Sequence, residues 1–349
     1  MKKLFLALLL LAILSSAAWA APSIYVAMPI YNFGTVLDGY AVAHTFVIEN
    51  AGDEPLEITG VRATCGCTTT ALSTTTIEPG ASVELEAIFH TTGYGGRTTS
   101  KTIQVASNDP AMPILVLQLT GQIAASAPHL IAVDDAYYSF YLLVDVRPAD
   151  AYAVHHLLGA VNVAPDELLA FAATLPSNAL IIVYDANLEA SEAAVMTLRD
   201  AGYSIAYALA GGLDAWIQAF GMRYVTNAAE PYALPEQVSL GSDESSLYYM
   251  PIGDLDYLFT LFIDVRDPDA FAAGHILGAL NISMDELPDW LDVFPEDVPI
   301  VVVSQDGTGS EEAALWLINH GIEKAQSMLG GLDEWIRLYG DVYMAPGAP

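Results

Sequence analysis

Cys65 and Cys67 are the only thiols in the sequence, and they are separated by one glycine. In an extended strand, residues i and i+2 face the same side, with Cα atoms near the upper limit of separation for a disulfide. A turn at Gly66 would shorten that separation and allow a small disulfide that is easily reduced. The spacing leaves three chemistries open: an inert local disulfide, thiol exchange, and binding of a soft metal such as Cu(I) by two thiolates.

The charge of the chain narrows the classes of partner. The 42 acidic residues against 11 basic ones give a formal charge of −31. Binding to nucleic acid or to an anionic membrane surface requires clusters of Lys and Arg, so the sequence argues against both. The acidity is uneven, because residues 231–349 carry 21 acidic and 3 basic residues. We expect this last third to be a solvated acidic surface or the docking face for a basic partner.

The first 20 residues have the features of an export signal. Two lysines precede an apolar run from Leu4 to Leu14, and small residues follow at Ala18 and Ala20. This order is that of a secretory signal peptide, which is removed from the mature protein. We therefore expect an exported protein in the periplasm of a Gram-negative bacterium, with no stable membrane insertion after signal cleavage.

The second half of the chain contains a tandem duplication. Residues 145–221 align with residues 264–340 at a constant offset of 119, without a gap, and 30 of the 77 pairs are identical. In each copy, short apolar runs alternate with helical stretches, which is typical of a parallel sheet covered by helices on both faces. The pattern predicts strands at 141–146, 179–184, 261–265 and 299–303, and helices at 192–201 and 311–319.

Several motifs recur in both copies, and their combination resembles the rhodanese family. They are Asp145-Val146-Arg147 and Asp264-Val265-Arg266, His156 and His275 ahead of Gly-Ala, Asn162 and Asn281, and a Gly-Gly-x-x-x-Trp element that ends at Trp216 and Trp335. The resemblance implies two small α/β domains, each built on a parallel sheet. In active family members, a cysteine opens a six-residue loop after a strand, carries a persulfide, and transfers sulfur to a thiol or cyanide.

The two loops that correspond to this position contain no cysteine. The first loop is 185–190 and the second is 304–309. The resemblance places Asp185 and Ser304 at the nucleophile position, and Ala190 and Gly309 where the family usually has arginine. Neither a carboxylate nor a hydroxyl can hold a transferable sulfane sulfur. Sulfurtransferase activity of the family type is therefore not expected from these domains.

The two loops differ in what they could bind. The Asp185 carboxylate could accept hydrogen bonds from its own loop and act as a built-in anion. The second loop is either a structural turn or a nest for a small anion, formed by Ser304, Gln305, Asp306, Gly307, Thr308 and Gly309. The Asp306 carboxylate works against an anion there. A structural role, rather than a catalytic one, is expected for Asp145, Arg147, His156, Asp264, Arg266 and His275.

Residues 22–125 follow a different, alternating pattern. Val83, Leu85, Ala87 and Phe89 alternate with Ser82, two glutamates and Ile88, which is typical of a half-buried strand. Turn signals stand between such runs, for example at Pro79-Gly80. Short strands at this spacing predict an all-β sandwich. Together with the Cys-Gly-Cys element, the segment resembles a bacterial exported immunoglobulin-like family of unknown function.

These features predict three folded domains with a non-catalytic role. The expected order is a signal peptide at 1–20, an immunoglobulin-like sandwich at 22–125, a rhodanese-like domain at 128–228, a linker at 229–253, and a second rhodanese-like domain at 254–345. We expect a binding or scaffolding module without a cofactor, acting on a protein partner that the sequence does not identify. The alternative is a sulfurtransferase or thiol-redox protein that uses Cys65 and Cys67.

Overall fold

The computed structural model of the chain describes residues 20–227, 229–235, 248–295 and 297–346. The chain divides into two compact units between Ser126 and Ala127. The export signal predicted at 1–20 lies outside the described residues, except for Ala20. No helix in the described ranges is long and apolar enough to cross a membrane.

The first unit is a β-sandwich of two sheets. Its described strands are β1 (Ile24–Tyr25), β2 (Ile30–Leu37), β3 (Ala41–Asn50), β4 (Leu56–Ala63), β5 (Thr68–Leu72), β6 (Thr76–Ile77), β7 (Ser82–His90), β8 (Arg97–Ser107) and β9 (Ile114–Ala124). One sheet has the order β1-β3-β7-β5 and the other has the order β2-β9-β8-β4-β6. Neighbouring strands are antiparallel, except that β2 runs parallel to β9. The predicted all-β, immunoglobulin-like fold is confirmed.

The alternation along β7 places one face of the strand in the core of the sandwich. Leu85 and Phe89 are fully buried, as is Ile48 on the paired strand β3. Glu84 and Glu86 on the opposite face are exposed. Because successive strand side chains point to opposite faces, this sequence pattern alone determines which face of β7 is buried.

The second unit contains both copies of the repeat. Its described strands are β10 (Leu130–Ile131), β11 (Leu142–Asp145), β12 (Val161–Asn162), β13 (Ile181–Tyr184), β14 (Ala206–Leu209), β15 (Tyr249–Met250), β16 (Leu261–Asp264), β17 (Gly274–Ile276), β18 (Leu280–Asn281), β19 (Ile300–Val303), β20 (Ala325–Met328) and β21 (Met344–Pro346). Its described helices are α1 (Val133–Ser139), α2 (Ala149–Val154), α3 (Leu168–Ala172), α4 (Glu189–Asp200), α5 (Gly212–Phe220), α6 (Ile252–Leu258), α7 (Pro268–Ala273), α8 (Leu287–Trp290), α9 (Thr308–Asn319) and α10 (Gly331–Tyr339).

Each repeat is built on a five-stranded parallel sheet. The first sheet has the order β12-β11-β13-β14-β15 and the second has the order β18-β16-β19-β20-β10. All residues of β11, β13, β16 and β19 are buried, as expected for strands covered on both faces. The predicted pair of α/β folds with parallel sheets is confirmed. In the second repeat, β17 and β21 also form a separate two-stranded antiparallel sheet.

Helices α4 and α9 begin three residues before the positions predicted from the sequence. Each follows a residue in the left-handed conformation, Leu188 with φ 92° and Gly307 with φ 89°. The last two residues of each predicted six-residue loop therefore form the first turn of the helix. The loops are shorter than expected, and their backbone N–H groups point from a helix N-terminus towards Asp185 and Ser304.

The two repeats exchange their first strands. Strand β10 comes just before the first repeat, but it pairs with β20 of the second sheet. Strand β15 comes just before the second repeat, but it pairs with β14 of the first sheet. The following helices are exchanged in the same way. The Tyr137 ring of α1 stacks on Tyr339 of α10 at 3.6 Å, and Phe259 at the end of α6 stacks on Tyr224 at 3.9 Å.

This exchange crosses the predicted domain boundaries. The linker predicted at 229–253 contains β15, an edge strand of the first sheet, and the start of α6. Residues 128–139, predicted in the first domain, supply a strand and a helix to the second sheet. Sequence order could not show this, because the two segments hold equivalent places in the two copies.

Equivalent turns of the two repeats meet back to back at Gly159 and Gly278. Both glycines have positive φ angles, of 79° and 76°. A Cβ atom on Gly278 would lie 2.3 Å from the carbonyl oxygen of Gly159, a distance that real side chains do not tolerate. The two glycines in contact are 119 residues apart, so they hold the same position in the two copies of the repeat.

We expect Gly278→Ala to destabilise the second unit far more than Gly321→Ala. Both substitutions place alanine at a positive φ, which costs about 1–2 kcal/mol. Only Gly278 also faces backbone, because a Cβ on Gly321 would meet nothing within 4 Å. The clash should add about 1–3 kcal/mol. Urea unfolding followed by circular dichroism measures the difference, and equal losses would contradict the close contact of the two turns.

Candidate functional site

The first loop, between β13 and α4, is closed around the Asp185 carboxylate. Asp185 directly follows β13 and is 5% exposed. One carboxylate oxygen accepts hydrogen bonds from the Leu188 N–H at 2.6 Å and from Ser191 Oγ at 3.0 Å. The other accepts from the Ala190 N–H at 2.7 Å. The carboxylate thus binds the N–H groups that an external anion would need, in agreement with the idea of a built-in anion.

The second loop, between β19 and α9, has a neutral side chain at the equivalent place. Ser304 is 6% exposed, and its hydroxyl accepts a hydrogen bond from the Gly307 N–H at 3.1 Å. It donates to Ser310 Oγ, also at 3.1 Å. Ser310 in turn lies 2.9 Å from the hydroxyl of Ser327 on β20. These bonds hold the loop without placing a charge in it.

A carboxylate stands at the rim of the second loop. The Asp306 side chain accepts hydrogen bonds from the Thr308 hydroxyl at 2.7 Å and from the Thr308 N–H at 3.0 Å. These bonds lower the pKa of the Asp306 carboxyl, so it is ionised at neutral pH. A negative charge here opposes the small anion that the sequence left open for this loop.

A cavity of about 510 Å³ opens beside the second loop. Arg266 Nη1 donates to Gln305 Oε1 at 3.0 Å, and Gln305 Nε2 donates to Asp333 Oδ1 at 2.5 Å, which gives one wall of the cavity a polar, fixed edge. The rest of the lining is largely apolar and includes Leu332, Ile336 and Met344. Such a mixture of a few oriented polar groups and apolar surface is typical of a binding cavity.

The two Asp-Arg motifs form ion pairs at the ends of β11 and β16, of which the first is buried and the second is part-buried at its arginine. Arg147 Nη2 lies 2.7 Å from Asp145 Oδ2, and Arg266 Nη2 lies 2.7 Å from Asp264 Oδ2. Each arginine also donates to a backbone carbonyl, that of His155 or that of Gly274. Burial disfavours the charge of Arg147, but the hydrogen bond and charge of Asp145 outweigh it and raise the arginine pKa. The structural role expected for these residues stays a prediction.

The two histidines of the repeated motif are tied to the preceding helices. His156 Nδ1 lies 2.8 Å from the Tyr152 carbonyl, and its ring stacks on Tyr152 at 3.8 Å. His275 Nδ1 lies 2.9 Å from the Phe271 carbonyl, and its ring stacks on Phe271. Burial lowers the pKa of His156, so the ring is neutral at pH 7. The rings therefore pack against aromatic neighbours and bond to backbone.

In the first unit, Cys65 and Cys67 form a disulfide with a Cα separation of 5.2 Å. Both residues are half-buried, and they lie in the turn between β4 and β5. The Tyr94 hydroxyl donates to Cys67 Sγ at 3.4 Å. The ammonium of Lys101 lies 3.8 Å from the centre of the Tyr94 ring. One sulfur of the pair thus accepts a hydrogen bond from a tyrosine hydroxyl, and a lysine ammonium lies over the ring of that tyrosine.

Sequence reasoning missed Tyr94 and Lys101. Tyr94 follows β7 and Lys101 lies on β8, so only strand pairing brings them to the disulfide, and no local spacing pointed to them. In the parts of the chain that the structure describes, no group of three or more His, Cys, Asp or Glu side chains could hold a metal ion.

The fold and the two loops place the second unit in a known class of domain. Residues 130–219 and 248–338 each match the rhodanese-like domain, and together these ranges cover just over half of the chain. The chain belongs to the rhodanese-like domain family. Residues 24–123 match DUF1573, a family described as a protein of unknown function. The protein is therefore a DUF1573 domain followed by two rhodanese-like domains.

Curated relatives include the thiosulfate sulfurtransferases GlpE of Stutzerimonas stutzeri and Pseudomonas putida. The first is 35% identical over 79 residues, which are 23% of this chain and 72% of the relative. The second is 38% identical over 77 residues, which are 22% of this chain and 70% of the relative.

Solved structures show similarity to separate parts of the chain. The rhodanese-like domain of the Alr3790 protein from Anabaena is 34% identical, with a TM-score of 0.23, and the match covers 24% of this chain and 95% of that one. A thiosulfate sulfurtransferase from Pseudomonas aeruginosa is 22% identical, with a TM-score of 0.24, over 60% of this chain and 41% of that one. A protein of unknown function from Porphyromonas gingivalis is 21% identical, with a TM-score of 0.28, over 31% of this chain and half of that one.

Proposed function

We propose that the rhodanese-like repeats form a non-catalytic binding module of an exported protein. The observation that carries this proposal is that a side-chain oxygen of the protein, a carboxylate in one loop and a hydroxyl in the other, occupies each loop. Asp185 holds the N–H groups of the first loop, and Ser304 bonds within the second. The sequence provides no cysteine after Cys67, so neither loop has a sulfur atom on which a persulfide could form. The loops keep their shape without this nucleophile.

The charge of the second repeat supports a basic protein partner for this module. Residues 231–349 carry 21 acidic and 3 basic side chains, which creates a negative potential that attracts positive surfaces. The cavity beside the second loop, with Arg266 and Gln305 at its edge, offers a fixed recess on that repeat. We place the binding site for the partner on this acidic repeat.

Export to the periplasm of a Gram-negative bacterium is part of the same proposal. Residues 1–20 have the order of a signal peptide. The disulfide between Cys65 and Cys67 supports export, because disulfides persist in an oxidising compartment and are rare in a reducing cytoplasm.

A sulfur-transfer assay tests the proposed absence of catalysis. The full chain, purified without its predicted signal, is incubated with thiosulfate and cyanide, and both thiocyanate and protein-bound sulfane sulfur are measured. We expect no thiocyanate above the protein-free reaction and no bound sulfane sulfur. A thiosulfate sulfurtransferase of the GlpE type serves as the positive control.

The variant Cys65→Ala separates the proposal from its alternative. Under the proposal, this variant and the parent chain give the same background. Turnover in the parent that disappears in Cys65→Ala would overturn the non-catalytic role and favour a sulfurtransferase centred on Cys65 and Cys67. Turnover that persists in a chain carrying both Cys65→Ala and Cys67→Ala would place sulfur chemistry in the repeats and would overturn the proposal as well.

A further inference from the structure

The surroundings of the two cysteine sulfurs differ. Cys67 packs against the core of the sandwich, and its sulfur receives the Tyr94 hydroxyl at 3.4 Å. The Lys101 ammonium lies 3.8 Å from the Tyr94 ring centre and 4.9 Å from that of Phe89. The Cys65 sulfur has the Thr68 hydroxyl at the longer distance of 3.6 Å. One sulfur is therefore placed to carry negative charge better than the other.

The disulfide is also open to reagents from solvent. Gly66 is exposed, and a Cβ atom added there would meet nothing within 4 Å. Cys65 is half-buried, at the same turn. A bond that closes a ring of only three residues constrains little of the unfolded chain, so the fold depends less on it than on a long-range disulfide.

We propose that Cys65–Cys67 is a site of thiol–disulfide exchange with a fixed direction, in which Cys65 is attacked and Cys67 leaves. This inference concerns the first unit and goes beyond the binding role proposed for the repeats. The partner is a thiol or dithiol of another molecule. Attack at Cys65 moves the negative charge to the sulfur that accepts the Tyr94 O–H, with the Lys101 ammonium over the Tyr94 ring, whereas attack at Cys67 would move it to the sulfur beside the Thr68 hydroxyl.

The exchange proceeds in two steps. A partner thiolate forms a bond to Cys65 Sγ, and the electron pair of the Sγ–Sγ bond leaves on Cys67, which becomes a thiolate that accepts the Tyr94 O–H. A second partner thiolate then attacks the partner sulfur of this mixed disulfide and releases Cys65 as a thiolate. Two thiols are oxidised to one disulfide, and the protein disulfide is reduced to two thiols.

The first experiment locates the mixed disulfide. The full chain is mixed with glutathione, the reaction is stopped with acid at early times, and tandem mass spectrometry identifies which cysteine carries glutathione. We expect the adduct on Cys65. An adduct mainly on Cys67, or equal amounts on both, would overturn the direction of exchange.

The second experiment tests the role of Tyr94 through the rate of reduction by glutathione. Tyr94→Phe keeps the ring and removes only the hydroxyl, so the variant should fold, which its thermal melt checks. Loss of a hydrogen bond to the leaving thiolate should slow reduction by about three- to tenfold. Tyr25→Phe, at an exposed tyrosine of the same sandwich, is the matched control and should react like the parent chain. Equal rates for Tyr94→Phe and Tyr25→Phe would overturn the assignment.

A third variant separates this inference from the proposed binding role. Lys101→Met removes the positive charge near Tyr94 and should also slow reduction, without any effect on the sulfur-transfer assay. If Lys101→Met and Tyr94→Phe both leave the rate unchanged, the exchange site fails while the binding role stands. If the sulfur-transfer assay finds turnover that depends on neither cysteine, the binding role fails while the exchange site stands.

Discussion

A chain cut to residues 140–260 is expected to be more stable than a chain cut to residues 127–235, although only the latter follows the order of the sequence repeat. The first chain contains β11 to β15 and α6, and so carries the complete first sheet in its observed arrangement. The second chain lacks β15 and α6. To close its sheet, it must use β10 and α1, which in the intact protein pack on the second repeat.

The cost of that replacement follows from two buried residues at equivalent positions. Leu255 of α6 and Ala136 of α1 are both fully buried, and each lies in a different hydrophobic core of the second unit. If α1 takes the place of α6, an alanine fills a site shaped for leucine. A buried Leu→Ala change costs about 2–5 kcal/mol, because of the cavity that remains. We expect the 127–235 chain to be less stable by at least this amount, or to dimerise through the free edge of its sheet.

Thermal melts and light scattering of the two chains measure this difference. A cooperative melt and a monomer mass for 140–260, with a lower melting temperature or a dimer for 127–235, would agree with the exchange. The variant Ala136→Leu in the 127–235 chain is the matched control, since it should recover part of the lost stability. If 127–235 melts as a monomer at the same temperature as 140–260, the exchanged arrangement is wrong.

The exchange shows which part of the fold the sequence determines. Alternation along β7 and the apolar runs of β11 and β13 predicted both the strands and their buried faces, because side-chain period depends on local geometry alone. The pairing partner of a strand depends on the rest of the fold. Strands β10 and β15 are two residues long and hold equivalent places in the copies, so either sheet could accept either strand by pattern.

The candidate sites divide in the same way. The residues of the two loops could be identified from the sequence, because the copies align without a gap and the loop position follows a strand. The same alignment allows the hypothesis that the Asp185 carboxylate accepts hydrogen bonds from its own loop. The partners of Cys67 could not be found, because Tyr94 is 27 residues away and reaches the sulfur only after β5 pairs with β7.

Replacing Asp185 with alanine should destabilise the second unit and create a site for an inorganic anion. The substitution removes the acceptor of hydrogen bonds from two backbone N–H groups and from Ser191. Buried donors without an acceptor cost about 1–3 kcal/mol each, and water entering the space offsets part of this cost. We expect a net loss of about 2–4 kcal/mol in the free energy of unfolding. Urea unfolding measures this loss.

Two comparisons isolate the buried carboxylate from general effects of charge. Asp200→Ala removes an exposed carboxylate from the other end of the same helix, and should change stability by less than about 0.5 kcal/mol. Ser304→Ala removes the equivalent neutral group of the second loop, where Gly307 loses its acceptor, and should cost about 1 kcal/mol. Loss of stability should therefore follow the order Asp185→Ala, Ser304→Ala, Asp200→Ala.

Sulfate should then restore part of the stability of Asp185→Ala, because the freed N–H groups at the start of α4 form an anion site. At tenfold above its dissociation constant, a ligand that binds only the folded state adds about 1.4 kcal/mol. Sulfate also stabilises proteins in general, so the parent chain and Asp200→Ala give the background, and chloride at equal ionic strength gives the salt effect. Titration calorimetry that detects no sulfate binding by Asp185→Ala would end the idea of a built-in anion. Binding by this variant and not by the parent would mean that the carboxylate itself keeps the first loop closed to anions.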